Sequence, residues 1–203
     1  RGSFLIDVRK QKGDAVGIET SENYITLTKN RAREACVEVR VEKGFGEHLP
    51  YKDESFDFVN MTEVIEHVEV PKTVLSEVYR VLKTGGVVYM SVPNRFGLKD
   101  QHYNLYFINW LPRKLAMGVL SLFKAHKDYS TEKEIGFQRL DAMHYFTLPK
   151  ITKLCQDSLF KVEDIRLQKI SKKSGLRKKF LIIAYHLAKL FYFDSFHLKL
   201  TKN

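Results

Sequence analysis

The spacing of apolar and polar residues divides the first part of the chain into short helices and strands. Apolar side chains at helical spacing predict a helix over residues 3–12. A buried strand over residues 15–18 follows it and ends at Glu19. A second helix begins near Ser21, and strict alternation then predicts a strand over residues 36–41.

The middle of the chain continues this series. An apolar run over residues 56–61 is typical of a central parallel strand. Apolar positions at helical spacing predict a helix over residues 72–82, which Gly85 and Gly86 end. Residues 87–92 then form the next strand. Strands that alternate with helices at these lengths predict an α/β fold of three layers, a Rossmann-like and mostly parallel sheet with helices on both faces.

The alternation lapses over residues 96–147 and returns towards the C-terminus. This long, aromatic-rich segment follows the carboxyl end of a strand, where open α/β sheets bind ligands, so we expect it to act as a substrate lid. Helical packing over the sheet is the alternative. A helix over residues 149–158, a strand over 161–170 and a last strand over 196–201 complete the pattern.

Composition places the chain among single-domain globular proteins. Of its 203 residues, 44% are hydrophobic, and Cys36 and Cys155 lie outside any disulfide or metal-binding spacing. A reducing, cytoplasmic setting is therefore expected. The net charge of +10 is local, because residues 171–203 hold eight Lys or Arg and a single Asp.

This basic end contains an apolar, aromatic-rich helix predicted over residues 175–193. Its apolar part is shorter than the roughly 20 residues that span a bilayer. Basic residues beside an apolar helix favour peripheral contact with an anionic membrane. Packing on the domain itself or on a second subunit of a homodimer is the alternative.

The run over residues 44–94 carries a series of short motifs in a fixed order. Leu-Pro is followed by Ser-Phe-Asp, Glu-His and Arg-Val-Leu-Lys-x-Gly-Gly. In this order and spacing the run resembles the class I S-adenosylmethionine-dependent methyltransferases, in the group that includes the ubiquinone-biosynthesis O-methyltransferases. The resemblance implies a methyltransferase that uses S-adenosylmethionine, and a final strand that runs antiparallel to the others.

The resemblance also divides the chain, which we expect to be one methyltransferase domain over residues 1–203. Residues 1–95 form the cofactor-binding core, residues 96–147 the substrate lid, and residues 148–203 the C-terminal part of the sheet. Gly2 matches the last glycine of the family's glycine-rich turn. The strand that precedes this turn is missing from the chain, so we expect the domain to be incomplete at its N-terminus.

The cofactor residues follow from this alignment of elements. Glu19 ends the second strand of the fold, where an acid accepts both ribose hydroxyls of a nucleoside. The family often has an acid where Phe45 stands, so Phe45 stacks on the adenine instead or Glu47 makes the polar contact. The resemblance implies cofactor binding by Gly2, Glu19, Thr20, Phe45, Gly46, Glu47, Met61, Thr62 and Glu63.

Methyl transfer to a hydroxyl requires a group that removes its proton. Histidine, whose pKa lies near neutrality, is the usual group, and the candidates are His67, His102 and His144. Structural hydrogen bonding is the alternative role for each. No metal site is predicted, because metal-dependent methylation of the catechol type requires acids clustered at the strand ends, and Asp100 and Asp141 are too isolated to provide it.

These observations favour methyl transfer to a small-molecule acceptor, with a quinone precursor, a sugar or a lipid-linked glycan supplying the hydroxyl. A catalytically silent binding module with the same fold is the alternative, and a nicotinamide-dependent Rossmann enzyme is the third reading. Nucleic acid is disfavoured as a partner, because residues 60–63 lack the Asn/Asp-Pro-Pro-aromatic turn that holds a flipped base.

Overall fold

The computed structural model describes residues 2–100, 102–122, 143–171, 175–188 and 194–203. A short 3-10 helix, Ile108–Trp110, lies between β4 and α4. The other elements, in chain order, are α1 (Ser3–Lys10), β1 (Val16–Glu19), α2 (Glu22–Glu34), β2 (Arg40–Lys43), β3 (Phe56–Thr62), α3 (Pro71–Val81), β4 (Leu82–Pro93), α4 (Arg113–Leu122), α5 (Leu148–Asp157), β5 (Phe160–Asp164), α6 (Ile165–Ser171), α7 (Gly175–Ala188) and β6 (Ser195–Lys202).

The strands form two hydrogen-bonded groups. β1 and β2 pair in parallel, and β3 pairs in parallel with β4. β6 runs antiparallel between β4 and β5, so it reverses the direction of the other strands. The predicted α/β fold with a final antiparallel strand is confirmed. Among the described residues, β1 pairs only with β2 and β3 only with β4, so each keeps one edge without a strand.

The main core lies between the four-stranded group and α3 and α5. Side chains on β4 and β6 alternate between the two faces of the sheet, as the two-residue period of a strand requires. Burying a large aliphatic side chain stabilises the fold by about 1.5–3 kcal/mol. Fully buried members of this core include Leu75, Val88, Met90, Ile151 and Leu200.

Helix α1 packs closely against its neighbours at its start. Gly2 adopts a left-handed φ of 75°, and a Cβ atom there would lie 2.3 Å from Cγ2 of Thr28 on α2. Glycine is therefore required both by the backbone conformation and by the close approach. The Phe4 ring contacts Phe58 of β3 with 5.8 Å between centroids, which connects α1 to the four-stranded group.

The strand predicted over residues 36–41 is wrong in its first four residues, because β2 begins only at Arg40. Cys36 and Val37, which precede β2, instead cap the C-terminal end of α2. Cys36 takes a left-handed φ of 55°, and the Val37 N–H donates to the Ala32 carbonyl at 3.0 Å. This is the usual way in which a helix end satisfies its last carbonyls, and alternation alone does not reveal it.

The junction after α3 also differs from the prediction. The helix ends at Val81, and β4 begins directly at Leu82, so Gly85 and Gly86 lie inside the strand and do not end the helix. Leu82 pairs with Phe56, after which the register shifts. A Cβ at Gly86 would lie 2.8 Å from the Lys83 carbonyl oxygen, so the glycine permits this irregular start of the strand.

The strand predicted over residues 161–170 is half helix. β5 ends at Asp164, whose Oδ1 accepts the N–H groups of Arg166 at 3.0 Å and Leu167 at 3.3 Å. A carboxylate that accepts two such N–H groups caps the start of a helix, and α6 follows at once. The capping acid therefore overrides the strand-like composition of residues 165–170.

The predicted lid is described only in part. Residues 101 and 123–142 of it, and residues 189–193 of the predicted basic helix, lie outside the described residues. The described part forms a small second core with Ile108, Leu120 and Tyr145 among its members. None of the helices in the described ranges has the length and apolar character needed to cross a membrane.

Candidate functional site

Glu19 stands at the carboxyl end of β1, directly before α2. Its Oε1 accepts the backbone N–H of Thr20 at 2.8 Å and that of Ser21 at 3.1 Å. The Thr20 hydroxyl lies 3.4 Å from the same oxygen. The carboxylate is thus held at a helix N-terminus, where the N–H groups and the helix dipole favour its negative charge.

The turn after β2 lies beside Glu19 and is joined to the loop after β3. The Gly44 N–H donates to the Glu19 carbonyl at 3.1 Å. Phe45 is 59% exposed, whereas Glu47 Oε1 already accepts the backbone N–H of Glu69 at 3.0 Å. Of the two alternatives at this turn, the geometry therefore favours stacking by the Phe45 ring.

Gly46 brings the same turn close to α3. A Cβ atom at this position would lie 3.2 Å from Cγ1 of Val74. A side chain at Gly46 would push the turn away from the helix. The backbone of the turn is therefore held near the sheet edge.

The end of β3 presents only some of the residues predicted there. Met61 is 3% exposed and packs into the main core, so only its backbone can meet a ligand. Thr62 is exposed, and its hydroxyl donates to Asn60 Oδ1 at 2.8 Å. Glu63 adopts a left-handed φ of 53°, with its N–H bonded to the Ser91 carbonyl at 3.1 Å.

Two of the candidate histidines, His67 and His102, lie beside one buried carboxylate, and the backbone of the third, His144, contacts the same segment. Glu66 is fully buried. Nε2 of His67 and Nε2 of His102 each lie 3.9 Å from its Oε1, and the two imidazole rings are perpendicular with 5.0 Å between centroids. The backbone N–H of His144 donates to the backbone carbonyl of Glu66 at 2.8 Å. The fold therefore assembles a histidine–glutamate cluster from three segments.

Glu66 is a candidate site residue that the sequence analysis did not single out. Its side chain belongs to the Glu-His motif, and that motif was the available signal. Burial raises the pKa of Glu66 to about 8, and the negative charge of Glu63 adds to the effect. None of the described residues donates a hydrogen bond to either carboxylate oxygen of Glu66. His144 Nε2 is likewise buried without a hydrogen-bond partner in the described ranges.

A buried hydrogen-bonded pair connects the segment that carries His102 to the segment that carries His144. The Tyr145 hydroxyl donates to Asp100 Oδ2 at 2.6 Å, and the Tyr103 N–H donates to Oδ1 at 2.6 Å. The Arg113 guanidinium lies 4.6 Å from the centre of the Tyr145 ring. Both carboxylate oxygens of Asp100 are thus engaged in hydrogen bonds, two residues before His102. Asp141 lies outside the described residues.

Helix α7 presents an exposed apolar stripe. Phe180 is 70%, Ile183 60% and Leu187 75% exposed, and at 100° per residue they fall within an arc of about 60°. On the opposite side, the buried Tyr185 donates its hydroxyl to Asp164, which anchors the helix beside the end of β5. Exposed Lys179 borders the stripe.

Residues 1–90 match the protein family described as "Methyltransferase domain". Two relatives are the demethylmenaquinone methyltransferases of Oceanobacillus iheyensis and Listeria welshimeri. The first is 31% identical over 130 residues, 61% of this chain and 52% of the relative. The second is 31% identical over 155 residues, 73% of this chain and 60% of the relative. The chain thus spans half to three fifths of the length of these relatives.

A solved structure shares the fold across nearly the whole chain. The S-adenosylmethionine-dependent methyltransferase from Mesorhizobium loti superposes with a TM-score of 0.59, over 99% of this chain and 86% of that one. The sequences are 16% identical. At this identity the similarity establishes the fold alone.

Proposed function

We propose that this chain, which carries the class I S-adenosylmethionine-dependent methyltransferase fold, binds S-adenosylmethionine and transfers its methyl group to a small-molecule acceptor. The observation that carries the proposal is the family match over residues 1–90 together with Glu19 at the end of β1. An acid held there by backbone N–H groups suits a ribose diol.

The cofactor lies across the carboxyl ends of β1, β2 and β3 in this proposal. Glu19 accepts the ribose hydroxyls, with Thr20 beside it, and the exposed Phe45 ring stacks on the adenine. At the other end, Thr62 and Glu63 present polar side chains to the methionine part. The remaining predicted contacts are made by the backbone at Gly2, Gly46 and Met61 and by the carboxylate of Glu47, which also holds the turn.

The acceptor lies at the histidine–glutamate cluster. Methyl transfer from a sulfonium is an in-line displacement in which the acceptor atom bonds the methyl carbon and the sulfur leaves as a neutral thioether. The protein therefore mainly has to orient the two reactants and exclude water. The fold brings His67, His102 and His144 to the Glu66 segment, and in this proposal one of the three receives the proton of the acceptor hydroxyl.

A quinol is the acceptor class that the comparisons favour. Sugars and lipid-linked glycans are the alternative acceptor classes. The names of the two relatives point to a quinone precursor. Removing the proton from a quinol hydroxyl raises electron density both on that oxygen and on the neighbouring ring carbon. The same histidine would then serve methylation at either atom.

The exposed stripe of α7 supports peripheral attachment to an anionic membrane, which is where an apolar quinol or a lipid-linked acceptor resides. Phe180, Ile183 and Leu187 form an apolar face of the kind that lies in the interface, and the surrounding segment is basic. We expect vesicles containing an anionic lipid to co-float the protein, and neutral vesicles to bind it less.

Replacing the three stripe residues by serine should abolish flotation, while Leu122→Ser, at a leucine 79% exposed on α4, should leave it intact. If the stripe instead contacts a second copy of the chain, the triple variant will lose a dimer in size-exclusion chromatography and wild type will not float.

Calorimetric titration of the full-length protein with S-adenosylmethionine and with NAD tests the cofactor. We expect S-adenosylmethionine alone to bind. A nicotinamide enzyme would bind NAD instead, and a failure to bind either would favour a silent module.

Transfer of a labelled methyl group to quinols, nucleotide sugars and lipid extracts then tests the acceptor. Substituting His67, His102 and His144 singly by alanine should lower turnover by at least ~10² for the proton acceptor. Near-normal turnover in all three variants, with cofactor affinity retained, would remove the catalytic role of the cluster.

A further inference from the structure

The histidine–glutamate cluster has the composition and spacing of a metal site. We propose that Glu66, His67 and His102 bind a divalent transition-metal ion of the zinc type. This departs from the sequence analysis, which predicted no metal, because the three ligands come from two segments that only the fold brings together. The proposal concerns ion binding and does not depend on methyl transfer.

The ligand atoms of Glu66, His67 and His102 would need to move together only slightly to bind one ion. Each imidazole Nε2 lies 3.9 Å from Glu66 Oε1, and the ligand atoms of the three residues all lie within 4.8 Å of one another. A point equidistant from such atoms is roughly 2.0–2.5 Å from each, which spans the ~2.0–2.2 Å of zinc–nitrogen and zinc–oxygen bonds.

Burial gives the cluster a reason to hold a cation. The Glu66 side chain is 0% exposed, and no other described residue donates a hydrogen bond to its oxygens. A buried carboxylate without such partners is costly when charged. A divalent ion between the carboxylate and the two imidazoles would satisfy the carboxylate charge and take the two Nε2 atoms as further ligands.

The ligand types select the class of metal. Two imidazole nitrogens with one carboxylate oxygen suit zinc and the other late first-row ions, whereas magnesium and calcium prefer sites made of oxygen ligands. Three protein ligands also leave at least one coordination position open. The His67 side chain is 16% exposed and that of His102 8%, so the open position would face the His67 side.

The surrounding structure restrains the ligands. Asp100, two residues before His102, is fixed by the Tyr145 hydroxyl and the Tyr103 N–H. The His144 N–H fixes the Glu66 backbone from the other side. Removing groups that orient metal ligands commonly lowers metal affinity by about 10- to 100-fold. With His67 and His102 as ligands, His144 is the histidine left beside the cluster to hydrogen-bond an acceptor.

The test is metal binding without cofactor or acceptor. Chelator-treated protein is titrated with Co²⁺, whose visible absorption reports nitrogen and oxygen ligation, and with Zn²⁺ followed by elemental analysis. We expect one equivalent per chain. Glu66→Gln preserves the side-chain shape and should weaken binding by at least ~10-fold, as should His102→Ala. His186→Ala, at an exposed histidine on α7, should bind as wild type.

Thermal unfolding of each variant separates ligand loss from misfolding, and Glu66→Gln is the variant expected to fold. The proposal is overturned if wild type takes up no stoichiometric Co²⁺ or Zn²⁺, or if Glu66→Gln binds as tightly as wild type. Because no methyl donor is present, this outcome leaves the proposed methyl transfer unaffected.

Discussion

Substituting Glu19 by glutamine separates its observed contacts, which hold the turn before α2, from its proposed role in binding a ribose. All three polar contacts of the carboxylate described above use Oε1, and glutamine retains an oxygen for them. Oε2 is then the atom that we expect to meet the ribose hydroxyls. Glutamine replaces it by an amide nitrogen and removes the charge.

The magnitude follows from the hydrogen bonds that change. A hydrogen bond to a charged group contributes about 1.5–3 kcal/mol, whereas a bond between neutral groups contributes about 0.5–1.5 kcal/mol. Exchanging charged for neutral bonds at the ribose should therefore cost about 1–3 kcal/mol of binding free energy. That corresponds to a Kd for S-adenosylmethionine raised about 5- to 150-fold, measured by calorimetric titration.

Glu22→Gln is the matched control. Glu22 lies in the first turn of the same helix and is 59% exposed, with its Oε1 3.4 Å from Lys43 Nζ. It undergoes the same chemical change near the same helix dipole, so it should leave the Kd within about twofold. A Glu19→Gln protein that binds S-adenosylmethionine as tightly as wild type does would show that Glu19 only holds the turn before α2 and would refute the reasoning.

Three further predictions concern stability and reactivity. Burial raises the pKa of the Cys155 thiol to about 12, so a disulfide reagent should modify only Cys36 in the native protein and both thiols in denaturant. Tyr145→Phe removes a donor to the buried Asp100 and should cost about 2 kcal/mol of unfolding free energy in urea titrations; an unchanged midpoint would contradict this. Hydrogen bonds from a neighbouring guanidinium hold the pKa of Glu77 at about 2, below its ordinary 4.5. The stabilisation by ionised Glu77, relative to Glu77→Gln, should therefore be present above pH 4.5 and fade as the pH falls towards 2.

The sequence predicts the elements of this fold where periodicity is undisturbed. The central strand over residues 56–61 and the last strand over 196–201 each match the structure to within a residue at either end. Their apolar residues face a core on the sheet, so the pattern and the packing agree. The prediction was wrong where local backbone or side-chain contacts determine where a helix begins or ends. Cys36 ends a helix through its backbone conformation, and Asp164 starts one through its carboxylate, and neither effect changes the apolar period.

The candidate site shows the same division. Chemistry identified His67, His102 and His144 individually, since histidine is the usual proton acceptor. Their approach to the Glu66 segment depends on the path of the chain between β4 and α5, which no spacing in the sequence encodes. The role of Glu66 depends on its complete burial, a property that a charged residue in a loop does not suggest.

The position of β6 constrains the order in which this sheet can form during translation. β4 ends at Pro93, and its antiparallel neighbour begins at Ser195, so a ribosome makes about a hundred further residues before the partner emerges. Throughout that interval the edge of β4 that will pair with β6 has no strand partner, and β5 waits for the same strand once residues 160–164 have been made. We therefore expect nascent chains to depend on chaperones until the last strand has left the exit tunnel, and substitutions in β6 to lower the yield of folded protein more than equally buried substitutions in α3.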